Sequence, residues 1–190
     1  MMVNWSKWLS RWGLLAFNLV VGGFVILPVL APWFEAQGWW FPGWLIRMAY
    51  HPLCHQLPAR SLLVGDLPMA LCARCFAIYA GFWAAGIVYY ALWLSPWRQR
   101  VPRQPIPWPA IVLCLLPMAL DGGAQLIPWP TWGDQGVQWH ALWESTNTLR
   151  LLTGGLVGVA AGAFIYPLLV RLFGEALPQM GKAGEGGNQL

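Results

Sequence analysis

The sequence predicts an all-α, polytopic integral membrane protein: a four-transmembrane-helix bundle with short outer interfacial helices. Three observations carry that expectation. Of 190 residues, 58% are hydrophobic and only 9% are charged, against about a quarter charged in a typical soluble domain. Four apolar runs approach the roughly 20 residues needed to cross a bilayer. Fifteen tryptophans recur at the ends of those runs, where an amphipathic ring anchors at the boundary of lipid and water. The length accommodates a single membrane domain, residues 1–180, with a polar, glycine-rich tail at 181–190 expected to be disordered.

The first span is expected over 13–34. Lys7 and Arg11 precede it as they would precede a signal peptide, but the apolar run is too long for one and lacks a small-residue cleavage site, so it reads as an uncleaved span. Asn18 and the pair Gly22-Gly23 within it read as helix contact points. The tryptophan-rich stretch 39–50 is too short to cross and suits a short helix lying in the interface. Pro52 turns His51 away from helical geometry, and Pro58 closes the segment that follows. Gly65-Asp66-Leu67-Pro68 then reads as a helix start with Asp66 as N-cap. The remaining spans are expected at 71–94, 107–127 and 151–173. Gly154, Gly158 and Gly162 in the last, and Ala77, Gly81 and Ala85 in the second, repeat every fourth residue. Small residues so spaced let backbones approach closely, which predicts that these two spans touch.

Basic residues set the expected orientation. Lys7, Arg11, Arg98, Arg100, Arg103, Arg171 and Lys182 fall on one side, and Arg47, Arg60, Arg74 and Arg150 on the other. The richer side is cytoplasmic under the positive-inside rule. The protein is therefore expected in the cell inner (plasma) membrane, multi-pass, with both termini cytoplasmic. Because the basic residues flank spans, the net charge of +4 points to the lipid bilayer as partner and not to nucleic acid.

The side chains able to carry chemistry lie on the outer side. His51, Cys54 and His55 precede Cys72 and Cys75 by a loop long enough to fold back. Cys72 and Cys75, three apart, are expected on one side of a helix. Three thiolates with an imidazole from His55 or His51 make a tetrahedral ligand set that suits zinc best, with copper or iron also possible. His140, in the second outer loop, is a substitute donor, although a histidine between two tryptophans is more often interfacial. Thiol-disulfide exchange competes with metal binding. A Cys-x-x-Cys with Arg74 inside it, at the mouth of a helix, has features that lower a thiol pKa. The layout is similar to that of membrane oxidases that pass electrons from thiols to quinone, but the loop 129–147 lacks their second cysteine pair and Cys114 is stranded in the third span. A disulfide that merely pins the outer loop is the bland alternative. An accessory role beside other membrane protein subunits would suit the tryptophan load.

A second set lies below. Asp121 falls inside an apolar run, about 21 Å along the third span, with Gln125 one turn on. An acid in the membrane is costly unless paired, and Arg74 or Arg150 is its expected partner. The resulting pair reads equally as a clasp between helices or as a handle for protons and ligands. Ser145-Thr146-Asn147 offers N-caps for the last span.

Together these residues resemble a family signature. The strings His51-Pro-Leu-Cys54-His55-Gln-Leu-Pro-Ala-Arg60-Ser61, Cys72-Ala-Arg74-Cys75-Phe-Ala-Ile-Tyr79-Ala-Gly81, Asp121-Gly122-Gly-Ala-Gln125 and Ser145-Thr-Asn147-Thr-Leu-Arg150 are similar to those of a prokaryotic integral-membrane family, domain of unknown function 2085. The resemblance covers roughly 50–162. It implies no activity, but it does imply that the cysteine-histidine cluster and the Asp121–Arg150 region, with Asn147 and Gln125, belong to one site.

Overall fold

In the computed structural model the described residues are 5–96, 101–133, 136–141 and 144–185, with side chains described over 12–96, 101–127, 130 and 144–172. The protein is mostly helical, in the order α1 (Trp5–Ala36), α2 (Trp40–Tyr50), β1 (Ser61–Val64), β2 (Leu67–Cys72), α3 (Ala73–Leu94), α4 (Trp108–Ala124), β3 (Pro128–Gly133), β4 (Gly136–Ala141) and α5 (Asn147–Glu185). Among the described residues, three stretches are long and apolar enough to cross a membrane: Trp12–Ala36, Ala73–Leu94 and Asn147–Leu172.

The expected third span, 107–127, is shorter than anticipated. Pro107 and Pro109 mark its start, Gly122 and Gly123 lie at its end, and the helix closes at Ala124 after 17 residues. At ~1.5 Å per residue that is about 25 Å, short of the ~30 Å hydrocarbon core. α5 is helical to Glu185, into the stretch expected as a polar tail, and 186–190 lie outside the described residues.

The segment before α3 also differs from expectation. Gly65 and Asp66 do not begin a helix, and Asp66 is no N-cap. They form the two-residue turn of an antiparallel hairpin that pairs Val64 with Leu67, Leu63 with Pro68 and Ser61 with Cys72, with an irregularity after Ser61. Gly65 takes φ +62°, a left-handed conformation that glycine adopts without steric cost. Apolar runs on both sides of a Gly-Asp turn are a hairpin signal, and the hairpin delays the helix to Ala73. A second antiparallel hairpin, β3–β4, pairs Trp129 with His140, where sequence reading saw only a tryptophan-rich loop. The short helix expected over 39–50 is α2.

The expected contact between the second and last spans is the most extensive helix pairing in the fold, α3 against α5. Gly154 lies against the Arg74 carbonyl and Gly158 against the Ile78 carbonyl. A Cβ on Gly81 would stand 2.6 Å from the Gly155 carbonyl oxygen, so neither backbone leaves room for a side chain along this seam. α1 packs across the pair. Its buried Asn18 accepts a 3.0 Å hydrogen bond from the Tyr166 hydroxyl and donates to the Leu14 carbonyl, which makes it the helix contact point expected. Leu14, Tyr89, Val101 and Tyr166 form the buried core at this end, with Phe17 and Phe82 packed on Tyr166.

Candidate metal centre

The opposite end of α3 carries the cysteines. α2 ends at Tyr50, and the chain turns tightly there, with the Leu53 and Cys54 amides donating to the Tyr50 carbonyl at 3.0 and 3.1 Å. Tyr50 is itself held by its hydroxyl, which donates to the Phe24 carbonyl of α1 at 2.5 Å. Burial pushes its pKa up to about 12. Cys54 is thereby buried at 6% exposure beside Tyr50 and Leu71.

Gln56 follows in the left-handed region, φ +52°, which costs a residue with a Cβ about 1–2 kcal/mol. Two hydrogen bonds offset that cost. Its Nε2 donates to the Arg47 carbonyl at 2.7 Å, and its amide points at the Cys54 sulfur at 3.4 Å. Arg47 grips Glu35 of α1 through two hydrogen bonds of 2.6 and 2.8 Å and donates to the Pro68 carbonyl of the hairpin at 2.7 Å. α1, α2, the 51–60 segment and the hairpin are thus tied together around Cys54.

Cys72 and Cys75 arrive from the other direction. Cys72 is not on the helix, as expected, but is the last residue of β2 and the N-cap of α3, with φ −69° and ψ 157°. Cys75 lies in the first turn of α3, where the helix dipole favours negative charge. The Cys72 amide donates to the Cys54 sulfur at 3.3 Å. Hydrogen bonding from Cys75 holds the Cys72 thiol well below its ordinary range, at about 5.

The sulfurs of Cys54, Cys72 and Cys75 lie within 4.8 Å of one another. A tetrahedral zinc with bonds of about 2.3 Å separates its thiolates by about 3.8 Å, so closing on a metal requires a shift of no more than about 1 Å. The two backbone amides aimed at Cys54 are the donors that an ionised sulfur accepts most strongly. The four cysteines are not joined to one another, and Cys114 stands apart in α4. The donor chemistry and spacing fit a thiophilic metal ion. Neither His51 nor His55 belongs to the group of converging donors, and both are exposed. His55 does border a cavity of about 280 Å³ over the sulfurs, together with Gln56 and Arg60. The side chain of His140 lies outside the described residues.

Below the sulfurs is a buried polar layer. Asp121, 7% exposed, forms its ion pair with Arg74. It also accepts a 2.9 Å hydrogen bond from Ser145. Gln125 reaches back to the Asp121 carbonyl at 2.9 Å. Arg150, the other partner considered for Asp121, donates to the Asn147 side chain at 2.9 Å, and Asn147 in turn donates to the Ser61 carbonyl at 3.4 Å. The start of α5 is thereby fastened to the hairpin strand that pairs with Cys72. Capping falls to Thr146, whose hydroxyl accepts from the Leu149 amide at 3.2 Å.

Sequence reading missed three contributors. Ser145 reads as a capping residue, Gln56 only as a letter of the signature, and Arg60 as a topology charge. All three stand within the quoted signature strings, which are the available hint.

The family described as predicted membrane protein (DUF2085) matches residues 54–164, a stretch that holds all three converging cysteines, Asp121 and Arg150. The chain is also 33% identical over 156 residues to the uncharacterized protein MJ1492 of Methanocaldococcus jannaschii, covering 78% of this chain and 87% of that relative. No solved structure matches. A match that takes in the sulfur cluster and the polar layer together, and a relative aligned along most of its own length, show that the chain belongs to the DUF2085 family of membrane proteins.

Proposed function

We propose that the protein is an integral membrane metal-binding protein, with Cys54, Cys72 and Cys75 as thiolate ligands of a zinc ion at the extracytoplasmic face. The observation that carries this reading is the convergence of three sulfurs from two separate stretches of chain, Cys54 and the Cys72–Cys75 junction, within 4.8 Å. When bound, such an ion supplies either a structural cross-link or a Lewis-acid centre. The chain's own residues do the rest. The Gln56 and Cys72 amides orient the Cys54 sulfur, Arg74 and Asp121 neutralise each other beneath the site, and Asn147 holds Arg150 alongside. A fourth donor would come from the cavity that His55 and Arg60 border.

The four-span topology belongs to the same proposal, with α4 as a short fourth crossing. Two contacts support it. The Arg171 guanidinium donates to the Arg103 carbonyl, near the end of α3, at 2.8 Å, whereas Asp121 meets Arg74 at its start. The chain between Arg103 and Asp121 therefore travels from one end of the bundle to the other. With the asymmetry of basic residues, this supports the reading with both termini in the cytoplasm and the sulfurs outside.

Elemental analysis of the purified protein tests the metal reading. About one zinc per chain is expected, lost in the C72S/C75S variant while the helical content is retained. A second reading draws on the low-lying Cys72 thiol: exchange of thiol and disulfide between Cys72 and Cys75 with quinone as electron acceptor. A metal-free protein whose two thiols oxidise on addition of quinone would favour it over zinc.

A further inference from the structure

The cavity over the sulfurs has features that three thiolates and a metal do not use. At about 280 Å³ it falls just under the ~300 Å³ at which small-molecule sites begin, so it suits a ligand of only a few atoms. Arg60 borders it, and its guanidinium makes no ion pair among the described residues. Arg150 lies close enough to feel Arg60, Arg74, Asp121 and Cys72, and its hydrogen-bond partner Asn147 is neutral. The charges around the site are therefore unequal. A divalent ion on three thiolates carries one negative charge and Asp121 a second, while three guanidiniums face them. One positive charge is left over, at the side where the cavity opens. Arg60 is exposed, so its guanidinium is able to meet the counter-charge of an anion that enters the cavity. His55 cannot supply that charge, because an imidazole is neutral or cationic.

We propose that this cavity binds a small monoanion with a soft donor atom, of the class of a short-chain thiolate. The donor takes the fourth position on the metal, and Arg60 meets the charge. Leu53 and Leu57, which line the same wall, leave space for a short apolar body. The inference rests on the metal reading above and adds to it that the fourth ligand is exchangeable and comes from solution.

The test uses the full-length protein in detergent micelles, loaded with cobalt(II) in place of zinc and titrated with thiocyanate, a small soft monoanion, and separately with neutral imidazole. The expected result is a sulfur-to-cobalt charge-transfer band at the start and a shift of the visible ligand-field bands as thiocyanate binds. In the R60Q variant thiocyanate affinity should fall about tenfold, as loss of one charged hydrogen bond predicts, while imidazole affinity is unchanged. Absence of the charge-transfer band in the wild-type protein overturns both the metal reading and this inference. A charge-transfer band with ligand-field bands that thiocyanate does not move overturns this inference alone, because a protein side chain then holds the fourth position. Equal thiocyanate affinity in the wild-type and R60Q proteins removes Arg60 from the site.

Discussion

The two ends of the α3–α5 pair solve different problems with similar material. Toward the Tyr166 end, Gly158 and Gly162 let the helices touch, and the buried polar side chains are neutral and matched, as in the Asn18–Tyr166 hydrogen bond. Toward the cysteines the same two helices carry Arg74 and Arg150, and they meet a buried Asp121 from α4 and the three clustered thiols. Here the local rules are broken. Gln56 stands at positive φ, and the Arg74 Nε is buried with no hydrogen-bond partner among the described residues. Strain and unmatched polarity persist only where the surroundings over-determine them, and they gather at functional sites. The contrast separates a seam that holds the bundle together from a head that the bundle holds in place.

The largest expected effect lies in the seam. A side chain at Gly158 would run into the Ile78 carbonyl and stand 2.8 Å from the Phe82 amide nitrogen, both backbone atoms that cannot step aside. Gly158→Leu should therefore cost several kcal/mol through overpacking, seen as loss of cooperative thermal unfolding in detergent. Gly123→Ala, where nothing lies within 4 Å, should leave the melt unchanged.

At the head the critical pair is Arg74 with Asp121. Arg74→Gln leaves a buried carboxylate without its ion-pair partner and should destabilise the protein by about 3–5 kcal/mol. Adding Asp121→Asn removes the stranded charge and should recover most of that loss in a denaturant or thermal titration. If the double variant were no more stable than Arg74→Gln alone, the pair would not be a charge clasp.

Smaller effects sharpen the comparison. Tyr166→Phe deletes a single neutral hydrogen bond to Asn18 and should cost about 1 kcal/mol without altering zinc content, since it lies at the far end. Zinc loading should be sensitive to pH in a defined direction. Cys72, with its thiol held at about 5, is already ionised at neutral pH, so uptake of one zinc at pH 7 should release fewer than three protons, measurable with a pH indicator in weak buffer. As the pH falls toward 5, protonation of Cys72 competes with the metal, and zinc retention should decline.

Much of the scaffold was legible because lipid imposes simple demands. Long apolar runs and interfacial tryptophans announced a membrane protein, and the Gly154-Gly158-Gly162 spacing announced the partner of α3, since only small residues let backbones approach. The lone acid Asp121 declared its need for an arginine in the same way. The hairpins were less legible. Ser61–Val64 and Leu67–Cys72 are short apolar runs, and at that length periodicity does not separate strand from helix. For the same reason the start of α3 was expected two residues early, at 71, and Cys72 was expected on the helix.

Alone, the order of residues determined that the chain is built for a bilayer, which helices pack through small side chains, and that sulfur, imidazole, carboxylate and guanidinium groups cluster toward one end. Those features follow from composition and from periods of a few residues, which local physics can read. Which arginine pairs with Asp121, that His51 and His55 stay outside the group of Cys54, Cys72 and Cys75, and that Arg60 borders the cavity were decided only in the folded protein. They depend on a strand-to-helix junction, a left-handed turn at Gln56 and a contact between Asn147 and Ser61, 86 positions apart. No local pattern encodes distances set by the packing of the whole bundle.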